Sequence, residues 1–106
     1  MSEQQLQAAC FIWHWNKYPE ERGLLYMNHN NPRDAKQGAS LKAMGMVAGV
    51  SDMTYLSESG VHFLEFKTDK GRQTANQIWW EGQVKKIGCK YSIIRNLDEF
   101  KKALGC

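Results

Sequence analysis

Residues 60–72 read GVHFLEFKTDKGR. Val61, Phe63 and Leu64 make this a strand, and DKGR ends it. Upstream, GVSDMTYL (49–56) reads as a second strand, and SESG (57–60) is the turn that folds the two into an antiparallel hairpin. Glu65 and Lys67 stand two apart at the end of the second strand, so their side chains share one face. With the turn at 57–60, the residue opposite Glu65 is Asp52 or Met53. Asp52 and Glu65 can therefore converge on one point, with Lys67 beside them.

Outward from the hairpin, residues 73–87 form a helix whose inner face is Gln77, Trp80, Val84 and Ile87, stopped by Gly88 at C′. KYSIIR (90–95) is a further strand. The strand–helix–strand step from 61 to 95 makes it parallel to the hairpin's second strand. Asn96 caps a last helix, with Glu99 three residues on and Leu97, Phe100 and Leu104 as its apolar face. Toward the N-terminus, Ser2 caps a helix over 2–17 that carries Leu6, Cys10 and Trp13 at helical spacing. LLYMN (24–28) is a short strand and HNNPRD a loop by composition. Residues 35–45 read as loop with a short helical piece. The expected fold is α/β: one domain over residues 1–106, a mixed sheet flanked by helices, in the order αβββαβ with a C-terminal helix.

The totals bound the function. A chain of 106 residues with 42% hydrophobic and 24% charged residues is one ordinary globular domain. No apolar run is long enough to span a bilayer, and the polar start MSEQQLQAAC does not read as a signal peptide, so no membrane role and a cytoplasmic home are expected. Net charge is +3, compatible with a nucleic-acid partner. Three widely spaced cysteines without a CxxC argue against a disulfide framework or a zinc site. Cys10 and His14 are four apart on the first helix, but two ligands do not make a metal site, and Cys10 reads as a small apolar helix residue.

Two carboxylates at one point repel each other unless a cation sits between them. All-oxygen ligation suits a hard divalent ion, Mg²⁺ or Mn²⁺, and the backbone carbonyl of Phe66 is a further ligand candidate. Such an ion beside a lysine suits phosphodiester hydrolysis: the ion activates water and screens developing charge, and Lys67 orients the water. Alone, a Glu–Lys pair on a strand is usually solvated. The preceding Asp, the hairpin and the following helix give it weight.

These residues carry a resemblance. GVSDM followed by FLEFKTDKGRQTANQIWWEGQVKKIGCKYSIIRNLDEF resembles the virus-type replication-repair nuclease (VRR-NUC) domain of the PD-(D/E)xK nuclease superfamily, whose core is restriction-endonuclease-like. The upstream GASLKAMGMVAGVSD and the SEQQLQ helix resemble small stand-alone phage-type members. The resemblance implies a metal-dependent DNA endonuclease. It makes Asp52 and Glu65 metal ligands, Lys67 the catalytic lysine, and Gln77 a helix residue reaching back to the site. It also places an acid on the first helix, where Glu3 is the candidate. The family's Pro-Asp is here Ser51-Asp52. Asn30 and Arg33 of the polar loop, with Lys42, Lys70 and Arg72, are the expected contacts to nucleic acid. Lacking any base-reading element, such a domain is expected to recognise DNA shape. The resemblance points to four-way junctions cut by a homodimer, without a small-molecule cofactor, in a phage or prophage setting. A flap or nicked-duplex nuclease and a non-catalytic nucleic-acid-binding module are the alternatives.

Overall fold

In the computed structural model, which describes residues 1–29 and 32–105, α1 spans Glu3–Lys17. Ser2 starts it with a reciprocal cap: its hydroxyl accepts from the Gln5 N–H (3.1 Å) and the Gln5 amide oxygen accepts from the Ser2 N–H (2.8 Å). Leu6, Cys10 and His14, one per turn, are its buried stripe. A 3₁₀ turn at Pro19–Glu21 redirects the chain into β1 (Leu25–Met27).

The hairpin forms as expected, except that its first strand begins at Met53, and residues 49–52, Asp52 included, are turn and loop. Strands β2 (Met53–Ser57) and β3 (Gly60–Phe66) pair antiparallel, with Met53 opposite Leu64 and Ser57 opposite Gly60. β4 (Lys90–Ile94) lies parallel to β3, with Phe63 opposite Tyr91 and Phe66 opposite Ile94. Among the described residues the sheet has four strands in the order β1-β2-β3-β4, mixed in direction.

Alternation along β3 divides the core between two faces. Leu64 and Phe66 point into a cluster with Leu6 and Cys10 of α1, Met53, Ile94, and Phe100 of α4 (Leu97–Ala103). Burying each of these large apolar side chains contributes about 1.5–3 kcal/mol. Phe63 points the other way, onto α3 (Ala75–Lys86), where it meets Trp80 edge to face at 4.7 Å. Glu65 shares the Phe63 face, so the acid lies under α3 and away from the apolar cluster.

Two expectations need correction. Residues 35–45 are more helical than expected: α2 runs Ala35–Ala43, its start capped by Asp34, whose carboxylate accepts from the Gln37 N–H at 2.8 Å. Gly38 is its buried residue and packs toward the Pro32 ring. The inner face of α3 is shorter than its apolar spacing implies. Val84 is buried and Trp80 and Gln77 are half-buried, but Ile87 is 78% exposed. Ile87 is the C-cap, and Gly88 (φ +96°) turns the chain away before that side chain reaches the sheet. Among the described residues, no helix is long and apolar enough to cross a membrane.

Candidate active site

The site stands where β2 begins and β3 ends. Continuing the hairpin pairing by one step from Met53–Leu64 places Asp52 across from Glu65. The Asp52 carboxylate accepts the backbone N–H of Phe66 at 2.7 Å, which fixes it between Glu65 and Lys67 along the neighbouring strand. Its backbone is held from the other side. The Asn28 N–H donates to the Asp52 carbonyl (2.8 Å), and the Asn28 amide donates to the Ser51 carbonyl (3.1 Å) and accepts from Thr54 (3.0 Å). Asn28, at the end of β1, thus pins the loop that presents Asp52.

Glu65 is 1% exposed. Its Oε1 accepts a short hydrogen bond from the Tyr91 hydroxyl, while Oε2 is buried without a hydrogen-bond partner among the described residues. Burial drives its carboxyl above the usual carboxylate range. The Tyr91 hydrogen bond and the Lys67 charge oppose that rise, and the negative charges of Asp52 and Glu81 add to it. Burial, and then the Glu65 contact, push the Tyr91 phenol well above its ordinary range. Lys67 is 6% exposed, and its backbone N–H continues the ladder to the Ile94 carbonyl at 3.0 Å. Under α3, Gln73 donates to Glu81 (2.9 Å), and Glu81 pairs with Lys85 (2.7 Å), which gives the second acid near Glu65 a cation of its own.

Glu3 reaches the same end of the molecule. A methyl group on Gly71 would lie 3.4 Å from Glu3 Oε2, so the carboxylate rests against the loop that follows β3. Glu3, Asp52 and Thr68 line a common cleft together with Gln4 and Gln7. Arg95 holds that loop from below, donating to the carbonyls of Thr68 (2.5 Å) and Gly71 (2.9 Å).

The remaining expected site residues are placed as follows. The amide oxygen of Gln77 accepts the Thr74 N–H at 2.8 Å, closing a capping box at the start of α3; in this arrangement it serves the helix and does not reach Glu65. Lys70 and Arg72 are exposed on the loop after β3. Arg33 and Lys42 are exposed at the two ends of α2, Arg33 alongside Asp34 at 3.9 Å. Asn30 lies outside the described residues. Tyr91 and Arg95 are the participants that sequence reasoning missed. Tyr91 shares its strand with Ile93 and Ile94 and reads as core.

The donor set suits a hard divalent ion: two carboxylates at adjacent strand ends and one buried carboxylate oxygen lacking a hydrogen-bond partner among the described residues. Among the described residues, no three carboxylates, imidazoles or thiols are gathered closely enough to hold an ion on their own. Backbone oxygen or water would have to complete the shell, and the Phe66 carbonyl is the candidate the sequence offers.

No protein-family model and no curated protein matches the sequence. Solved structures do. One named "VRR_NUC domain protein" superposes with a TM-score of 0.79 over 99% of this chain and 86% of its own, at 19% identity. Another, named "VRR_NUC domain", gives 0.62 over 99% and 97% at 11% identity. The mixed four-stranded sheet flanked by helices is therefore the restriction-endonuclease-like fold of the VRR_NUC domain.

Proposed function

We propose that this domain is a divalent-metal-dependent nuclease that hydrolyses DNA phosphodiester bonds at the Asp52–Glu65–Lys67 site. The observation that carries the reading is Glu65. A carboxylate 1% exposed, with one oxygen lacking a hydrogen-bond partner among the described residues, costs stability and calls for a ligand that repays it. Asp52, Glu65 and the Phe66 carbonyl would hold Mg²⁺ or Mn²⁺, with Glu3 across the cleft. When bound, the ion lowers the pKa of its water and offsets charge on the phosphate.

The chain's own residues supply the rest. Lys67 brings a fixed positive charge to the phosphate oxygens and orients the attacking water. Tyr91 holds Glu65 by one oxygen and leaves the other available. Asn28 and the Phe66 N–H fix Asp52. Lys70 and Arg72, exposed on the loop beside the cleft, meet the DNA backbone electrostatically. Arg33 and Lys42, exposed at the two ends of α2, are further candidates for that contact.

At the level of substrate, we read the enzyme as structure-selective, with four-way junctions cut by a homodimer. A domain this small has little surface for reading bases and reads shape, and paired cuts across a junction require two sites related by a two-fold axis. A substrate panel tests this: labelled four-way junction, flap, nicked duplex, plain duplex and single strand, each with Mg²⁺, Mn²⁺ or EDTA. Symmetric, metal-dependent nicking of the junction supports the reading. Preferential cutting of flap or nick moves the substrate. Binding without cutting under any metal supports a non-catalytic module.

A further inference from the structure

An apolar groove opens directly off the acidic cleft. One stripe of α1, Gln4, Gln7, Ala8, Phe11 and Trp15 at three- and four-residue spacing, forms its wall. Leu25 and Met27 of β1 and Met53 of β2 belong to the same sheet face and form its floor. The space is about 610 Å³, within the range of small-ligand pockets. Gln4, Gln7 and Asp52 line both this groove and the cleft that holds Glu3 and Thr68. Groove and cleft are thus one continuous recess, acidic at one end and aromatic at the other. Arg22 lies over the Trp15 ring at 4.7 Å and puts a cation at the aromatic end.

We propose that this groove receives an unpaired nucleobase of the strand whose phosphate occupies the acidic cleft. The inference rests on a nucleic acid being the ligand of that cleft, as argued above. A base hangs from the backbone within one sugar of its phosphate, so a phosphate at Asp52 brings a base to the groove mouth. Gln4 and Gln7 offer amide donors and acceptors to the base edge there. Phe11, Met27 and Met53 provide an apolar slot that any base fills. Arg22 reaches the next phosphate along. A base stacked within a duplex cannot enter the slot, so the groove selects strands that are unpaired at this position. A second copy of the chain fits less well as occupant, because docking it would bury the polar mouth of Gln4, Gln7 and Asp52 against protein.

The test compares binding of an oligothymidylate with a fully abasic strand of the same length and charge. Binding is followed by fluorescence anisotropy in EDTA and again with Ca²⁺. The wild-type protein is expected to bind the base-bearing strand about tenfold more tightly. Ala8→Trp, which fills the groove from an exposed helix position, should bring that ratio close to one while the abasic strand binds as before. Met27→Ser, which thins the floor, should lower the ratio severalfold. Equal wild-type affinity for the two strands, or a ratio that both variants leave intact, overturns the proposal. So does a dimer-to-monomer change on Ala8→Trp in sedimentation without any wild-type preference for bases, since the groove is then a copy interface. Cleavage is not read in this experiment. A protein that cuts nothing but prefers bases loses the nuclease reading and keeps the groove; one that cuts but ignores bases does the reverse.

Discussion

Tyr91 of β4 donates its hydroxyl proton to Oε1 of Glu65 on β3, beneath α3. The contact joins an acid at the end of the hairpin to a strand that arrives only after a whole helix has passed. It also sets the acid's character. One oxygen is committed to a neutral donor, and the other remains buried and without a hydrogen-bond partner among the described residues.

Removing that hydroxyl makes the acid harder to ionise. The Tyr91 hydrogen bond lowers the Glu65 pKa against the effect of burial, so Tyr91→Phe should let it rise further. If cleavage needs ionised Glu65, the acid limb of the pH–rate profile shifts to higher pH. The variant should also lose about 1–3 kcal/mol of stability, because a second buried oxygen loses its partner. A pH–rate profile paired with urea unfolding reads both effects. An unmoved acid limb would remove Tyr91 from the site.

Glu65→Gln should stabilise the fold while abolishing cleavage. The Glu65 carboxyl is raised in the folded protein, so the native state holds its proton more tightly than the unfolded chain does. The stability that this gives is full below the ordinary carboxylate range and is lost as pH rises through the folded value. Glutamine keeps the oxygen that Tyr91 binds and never ionises. The melting temperature of the variant should therefore exceed the wild type's at neutral pH, and the gap should close toward pH 4. Mg²⁺ or Mn²⁺ should raise the wild-type melting temperature and leave the variant's unchanged.

His62 predicts an opposite pH dependence. It is 8% exposed, bonded through Nε2 to the Ser92 hydroxyl at 2.8 Å, and its pKa is lowered by burial and secondarily by Lys90. The unfolded chain takes up this proton at the ordinary imidazole value, about 6.5, before the native state does. His62 thus contributes stability above that pH and loses it as the pH falls below it. Urea midpoints between pH 7.5 and 5 should fall for the wild type and fall less for His62→Gln.

Gly49→Ala should be severely destabilising. Gly49 has φ +89°, and an added Cβ would lie 2.3 Å from the Asn76 carbonyl oxygen and 2.8 Å from the Gln77 nitrogen. The loop that leads to Asp52 therefore runs hard against the first turn of α3. Left-handed backbone strain alone costs about 1–3 kcal/mol, and the clash adds to it. Thermal melting of the variant checks this. A loss below 1 kcal/mol would mean that the loop and helix part easily.

The hairpin was legible because a two-residue loop at Glu58–Ser59 fixes the register, and the register alone carries Asp52 to Glu65. The parallel return of β4 followed from a helix too long for a hairpin connection. What remained hidden depends on pairs distant in the chain. Nothing local marks Asn28 as the residue that pins Ser51 and Asp52, 23 and 24 positions on. Tyr91 in KYSII looks like core because its ring is core, packed near Trp80; only its hydroxyl serves the site. Helix α2 was under-read because Gly38 lowers helix propensity at the point where Pro32 packs against it. The face of α3 was over-extended because spacing does not show where a helix leaves the sheet.

The central claim is that Asp52, Glu65 and Lys67 hydrolyse DNA with a divalent ion. The most direct measurement is single-turnover cleavage of an end-labelled junction by purified wild-type, Asp52→Asn, Glu65→Gln and Lys67→Ala proteins, with Mg²⁺, Mn²⁺ or EDTA. The account predicts cutting by the wild type with metal, none in EDTA, and a rate loss of about a hundredfold or more in each variant, all of which remain folded and bind the DNA. Undiminished cutting by Glu65→Gln, or wild-type cutting in EDTA, would contradict it.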